Sequence, residues 1–177
     1  VDGVEWADAP VYLSLMTLAT FFWMTTHFYF IHRLIHWRPL YRLAHSLHHR
    51  NVSTNPWTGI AMHPIESFIY FSSIALWWFV PVHPVVILLT GLFTGLSPAL
   101  SHSGFDQIRI LRKRCVSAGI FFHDLHHTLY EANYGTLLTP VDYFVGTMHD
   151  GSDRAQEAFI ERRRRALKKT EGAGDCR

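Results

Sequence analysis

Ten of the thirteen histidines in this 177-residue chain fall into clusters whose spacing suits metal ions. They are His32-Arg-Leu-Ile-His36, then His45-Ser-Leu-His48-His49, then single His63 and His102, and finally His123-Asp-Leu-His126-His127. On a helix, residues three and four apart share a face, so each cluster aims two or three imidazoles at one point. Imidazole is a borderline ligand that serves iron, zinc, copper and nickel alike. Ten candidate imidazoles exceed the needs of one ion, so the economical reading is two ions sharing an all-histidine cage. His27, His83 and His149 stand outside the pattern and read as ordinary polar residues.

The elements that position these clusters are apolar. From Val11 to Ile31 there is no Asp, Glu, Lys or Arg. A helix needs about 20 apolar residues to cross the hydrocarbon core, so this stretch is predicted to span a membrane. A second uncharged stretch, Ser67 to Phe105, is too long for one crossing and contains Pro81-Val82-His83-Pro84. Two prolines in four residues favour a turn, which predicts a membrane hairpin with arms over about 65–80 and 85–101. Trp77 and Trp78 beside the turn fit an interfacial belt.

Charge sets the orientation. All sixteen Lys and Arg residues lie within Arg33–Arg50 and Arg109–Arg177, whereas the first ten residues carry Asp2, Glu5 and Asp8. Under the positive-inside rule every histidine cluster then faces the cytoplasm. The predicted fold is all-α: one membrane-spanning helix plus a membrane hairpin, with a cytoplasmic helical cap that carries the di-metal site. Residues 1–150 form one membrane-embedded domain. Residues 151–177 form a polar, basic tail suited to anionic headgroups, and no nucleic acid is expected as a partner. Cys115 and Cys176 read as free thiols in a reducing compartment. Val1–Ile31 lacks the basic start and cleavage site of a signal peptide.

The boxes and their surroundings resemble the fatty acid hydroxylase and sterol desaturase superfamily. The residues that carry the resemblance are Tyr29-Phe-Ile-His32-Arg33-Leu-Ile-His36, Leu40-Tyr41-Arg42 and His45-Ser-Leu-His48-His49. Met62-His63-Pro64-Ile65-Glu66, His102-Ser103-Gly104-Phe105-Asp106 and His123-Asp-Leu-His126-His127 follow. Asn133-Tyr134-Gly135 and Asp142-Tyr-Phe-Val-Gly146-Thr147 complete it, and the Met62–Glu66 and His102–Asp106 segments look closer to the sterol desaturase side than to the ceramide fatty acid hydroxylases. His27 departs from the pattern, standing where many relatives carry an acid, and Pro140 stands where a Trp is common.

The resemblance implies two iron ions, with zinc as a substitute in purified protein. It implies activation of O2 and attack on a C–H bond of a sterol-like or fatty acyl lipid drawn from the bilayer, giving an alcohol or an alkene. The chain has no GxGxxG, so electrons are expected from a separate cytochrome- or ferredoxin-type donor. The metal ligands implied are His32, His36, His45, His48, His49, His123, His126 and His127, with His102 as a ninth and His63 as a tenth. Glu66 and Asp124 are cast as acceptors of an imidazole N–H that fix its tautomer. Asn133, Tyr134, Asp142 and Arg33 read as further supports, Asn133 with a water-mediated metal contact as one option. Phe28, Tyr29, Phe68, Phe71 and Phe93 are candidates for the wall of a lipid pocket. A bacterial inner membrane, the endoplasmic reticulum or another organelle membrane all fit. Two other readings stand beside the oxygenase: an accessory subunit of a larger membrane complex, and a zinc hydrolase or metal-binding protein.

Overall fold

The structure is a computed structural model that describes residues 5, 7–105, 107–110, 114–117, 120–136 and 141–174, with backbone alone at 107–110, 114–117 and 169–174. Asp106, Pro140 and Cys176 lie outside the described residues.

Helix α1, Pro10–Ile35, leads into α2, in which Arg38–Leu40, a π-helical turn at Tyr41–His45 and Ser46–His48 run on as one piece. Helix α3 is Pro56–Ile60. Helix α4, Pro64–Phe71, tightens into a 3-10 stretch over Ser72–Trp78, and α5 is Pro84–Ser101. Strands β1, Gln107–Ile110, and β2, Arg114–Ser117, pair antiparallel. Helices α6, Ile120–Leu129, α7, Val141–Val145, and α8, Asp153–Gly174, complete the described chain. The expected helices carry the site, and the two-stranded pair is an addition to the all-α expectation. Gln-Ile-Arg-Ile in β1 has the alternation of a strand, a period too short to outweigh the surrounding helical pattern.

Proline and histidine fix where the helices of the second apolar stretch begin. Pro64 and Pro84 occupy first-turn positions, where the missing N–H costs nothing. The preceding residues, His63 and His83, cap these helices, each Nδ1 accepting a backbone N–H at 3.2 Å, from Ile65 and Val85. His63 is therefore a capping residue and not part of the histidine cage.

The two arms around Pro81–Pro84 lie antiparallel. Tyr70 meets Ser97 at 2.9 Å, Ser73 meets Thr94 at 3.5 Å, and the Trp77 indole donates to Thr90 at 2.9 Å. Each step down one arm is a step up the other. Helix α1 runs beside them: Tyr12 donates to the Pro81 carbonyl, the Trp23 indole to that of Ser73, and Phe21 meets Phe93 edge-on. At the turn, Trp77, Val82 and Val86 form a buried apolar cluster. Trp77 is thus core, while Trp78 is 79% exposed, so only one of the pair is placed for an interfacial role.

One helix among the described residues, α5, is both long and apolar enough to cross a membrane. Helix α1 has the length, 26 residues, but its threonines and His27 dilute its hydropathy. Thr17, Thr20 and Thr25 each turn their hydroxyl onto a carbonyl of α1 four residues back, which lowers the cost of an apolar environment. The outer faces are apolar: Leu15, Leu18 and Phe22 on α1, and Leu88, Leu92 and Leu96 on α5, are all exposed.

The basic helix α8 is not a free tail. Its Phe159 is buried, and Arg162 donates to the carbonyls of Gly146 and Glu131 at 2.8 Å each.

Helix α3 lies against the end of α5 at Gly59, where a Cβ would overlap the Pro98 carbonyl and come within 2.9 Å of Nδ1 of His102. Gly59→Ala is expected to force α3 away from α5 at a cost of about 1–3 kcal/mol. It should also lower metal content by displacing His102. Thermal unfolding in detergent, together with metal counted per chain, checks both.

Candidate metal centre

Nine histidines converge, in two abutting groups whose ligand atoms lie within 4.8 Å of one another in each. The first group is His32, His36, His45, His49 and His126; the second is His48, His102, His123 and His127. All are buried except His36, which is partly covered.

Helix geometry explains the division. Residues four apart differ by about 40° around the axis, residues three apart by about 60° in the other sense. His32 and His36 on α1, and His45 and His49 in and after α2, are four apart, and both pairs join the first group. His123 and His127 on α6 are also four apart and join the second. The middle histidine of each HxxHH box crosses over: His48 goes to the second group, His126 to the first. Each box thus bridges both groups instead of serving one point.

Hydrogen bonds behind the rings fix which nitrogen faces inward. Nδ1 of His32 donates to the Tyr134 carbonyl at 2.7 Å, and Nδ1 of His126 to that of Ala132 at 2.6 Å. Nδ1 of His102 donates to the Pro98 carbonyl at 2.8 Å, and Nδ1 of His45 to Glu66 Oε1 at 2.7 Å. A carbonyl can only accept, so in the neutral ring Nε2 is left with a lone pair.

These lone pairs meet. Nε2 of His36 is 3.0 Å from Nε2 of both His126 and His45, and 3.2 Å from that of His49. His49 Nε2 is in turn 3.2 Å from His126 Nε2. His126 and His45 have no proton to offer there, and His36 has at most one. Protons alone cannot satisfy the set; a shared cation can. Two nitrogens bound at right angles with bonds of about 2.1 Å lie about 3.0 Å apart, which is the observed spacing. In the second group, Nε2 of His102 and His127 are 2.9 Å apart, and Nε2 of His123 is buried without a hydrogen-bond partner among the described residues. The donor set fits two metal ions: the first group could hold one and the second the other.

Burial keeps the rings neutral and ready to bind. His48 and His127 are pushed down to about 3, first by burial and then by neighbouring imidazoles. His36, His45 and His49 are driven far below the ordinary range by the same causes.

The supporting residues divide. Glu66 stands behind His45, in the role expected of it. Asp124 does not meet an imidazole; it accepts from Thr54 at 2.5 Å, because position 124 falls on another face of α6 from His123 and His127. Asp142 accepts from the backbone N–H of Tyr134 and Gly135 and from the Thr147 hydroxyl, holding the strip whose carbonyl receives His32. Tyr134 contributes that carbonyl, and its ring packs against His36 and His126. Asn133, with φ +54°, makes the left-handed turn before it and bonds to Phe122 and His149 backbone groups. Its amide is occupied in that turn, which leaves the metal-water option without support. Arg33 donates to Tyr29 at 2.6 Å. His149, which carries no sequence signal, is buried and tied to Asn133.

A cavity of about 350 Å³ between α1, α4 and α5 ends on these groups. His32 and His45 of the first and His48, His102 and His123 of the second line it. The rest of its wall is mainly apolar, with Met24, Phe28, Ile31 and Phe93 among its residues. Of the expected wall residues, Phe28 and Phe93 are there; Tyr29 is buried elsewhere, and Phe68 and Phe71 face outward.

Helices that hold two abutting groups of imidazoles at the end of an apolar cavity define a histidine-box protein. The fatty acid hydroxylase family profile matches residues 17–147, and the chain belongs to that family, on its sterol desaturase-like branch. It is 30% identical over 120 residues to the Delta(7)-sterol 5(6)-desaturase of Gibberella zeae, covering 67% of this chain and 33% of that protein. Methylsterol monooxygenase 1 of Gallus gallus is 32% identical over 121 residues, covering 67% and 41%. The very-long-chain aldehyde decarbonylase of Arabidopsis thaliana is 29% identical over 149 residues, covering 76% and 23%. The chain thus spans less than half the length of these relatives. No solved structure matches.

Two outcomes follow for the metal centre. Replacing His48 with Ala should empty the four-histidine group, taking metal from two toward one per chain, whereas His126→Ala strikes the five-histidine group. Elemental analysis of detergent-purified variants counts this directly. In metal-free protein, the folded pKa of His48 and His127 lies below the unfolded value of about 6.5. The unfolded state then binds more protons, so stability falls as pH drops through about 6.5 and goes on falling toward about 3. Metal loading should move the onset of acid unfolding to lower pH, since cation and protons compete for the same nitrogens. Unfolding followed against pH with and without metal tests the sign.

Proposed function

We propose that this chain is a membrane-bound di-iron oxygenase that hydroxylates or desaturates a C–H bond of a sterol-like or fatty acyl lipid with O2. The observation that carries the reading is the apolar cavity that ends on imidazoles from both groups. Family membership supplies the reaction class: relatives bear the names sterol desaturase, methylsterol monooxygenase and aldehyde decarbonylase, all acting on lipids.

In this reading α1 and the α4–α5 hairpin sit in the bilayer. The uncharged sequence of these segments, their exposed leucines and phenylalanines, and the basic residues confined to one side support the placement. The metal centre then faces the cytoplasm, where a separate reduced carrier delivers electrons. A lipid enters from the hydrocarbon phase, so the substrate need never pass through water.

Two bound irons would activate O2, which supplies the oxidising power to break an unactivated C–H bond; the nine histidines would hold them. The chain itself does the rest. Phe28 stacks on His32 with ring centroids 4.9 Å apart and stands edge-on to Tyr70, closing the wall beside the metal centre. Burial of the rings excludes bulk water from the reacting carbon. Glu66, beneath His45, keeps that Nδ1 proton and so holds the ring as an Nε2 ligand.

The test is made on detergent-purified protein loaded with iron and supplied with a chemically reduced one-electron donor, lipid extract and 18O2. Iron near two per chain, oxygen consumption, and a lipid product gaining one labelled oxygen or losing two hydrogens are expected. Tight zinc with no oxygen uptake under any donor would overturn the reading.

A further inference from the structure

His27 does not belong to the metal centre, yet it lies on α1 inside the segment placed in the bilayer. An ionisable side chain at that depth is costly and needs a reason. Its ring lines the cavity that ends on the histidine cage.

Its proton can be assigned. The Ser72 hydroxyl donates to the Ile69 carbonyl at 2.6 Å, so toward His27 the Ser72 oxygen can only accept. His27 Nε2, 3.0 Å from that oxygen, therefore carries the N–H. The neutral ring is left with a lone pair on Nδ1, and among the described residues nothing donates to it. Ser73 and Thr94, which also line the cavity, meet at a long 3.5 Å and retain hydrogen-bonding capacity.

The ligand follows from what the wall offers. The lining residues include no Lys or Arg, and their one acid, Glu66, is engaged by His45. Away from the cage, a carboxylate or phosphate held beside His27 would therefore be buried without a basic side chain to pair with. An apolar body with one O–H donor matches both the wall and the vacant acceptor. His27 precedes His32 by five residues, roughly 7.5 Å along the helix axis.

We propose that His27 determines substrate choice by accepting a hydrogen bond from the hydroxyl of an uncharged lipid. The bond to be attacked then lies farther along the cavity, at its His32 end. This rests on the lipid reading above and narrows it to alcohols.

Direct binding to the detergent-purified chain tests it, with two probe pairs: cholesterol against its methyl ether, and hexadecan-1-ol against its methyl ether. One neutral hydrogen bond corresponds to roughly threefold to tenfold in affinity. Wild type should prefer at least one alcohol over its ether by that factor. In His27→Phe the preference should vanish while the ether still binds, and His27→Gln, which keeps an acceptor, should restore part of it. Equal binding of alcohol and ether by wild type overturns the proposal without recourse to any variant. So does a preference that survives in His27→Phe, or failure of wild type to bind either lipid. Iron content and oxygen uptake are measured separately. An alcohol preference lost with His27 in a chain that consumes no oxygen leaves this inference standing and sinks the oxygenase.

Discussion

Imidazole nitrogens with inward lone pairs repel one another, and this structure packs nine imidazoles at one place, at least four of them with Nε2 lone pairs turned inward. The repulsion is imposed from behind. Because Nδ1 of His32, His102 and His126 is committed to backbone carbonyls, these rings cannot rotate or change tautomer to relieve it. Holding that arrangement in readiness for cations demands rigid surroundings, and most of the cap consists of such surroundings.

Each support can be traced outward. The carbonyl that receives His32 belongs to Tyr134, whose N–H is held by Asp142; the turn that delivers Tyr134 is made by Asn133 and locked by His149. The carbonyl that receives His102 belongs to Pro98, in the last turn of α5, where Gly59 permits the close approach of α3. Polar pairs between the arms, Tyr70 with Ser97 and Trp77 with Thr90, hold α4 and α5 at the separation that leaves the cavity between them. The buried polar groups of this molecule therefore serve position more than cohesion.

The sequence made the helical histidine boxes, the apolar stretches and the helix break at Pro81–Pro84 readable, because each depends on spacing of 3.6 residues or on proline. It also allowed His27 to be noticed as an odd residue. What it concealed was the division of labour. That His48 and His126 cross to the opposite group depends on how α2 and α6 face each other, which no local period encodes. His63 looked like a ligand because it precedes a proline in a familiar motif; only the backbone shows it capping α4. Asp124 sits between histidines in sequence but around the corner from them in space. The hydrogen bonds that orient the rings come largely from main-chain carbonyls, which every residue possesses and no motif marks.

The two groups differ in how far apart their members lie along the chain. Four of the five histidines of the first group fall between His32 and His49, whereas the second draws on His48, His102, His123 and His127. A chain made from its N-terminus therefore assembles most of the first pocket from one helix and the piece that follows it. The second cannot close until α5 has come back alongside α1 and α6 has emerged. Were both groups to take cations, assembly would have a built-in order, with one cation held early by nearby residues and the other admitted only as the finished fold shuts around it.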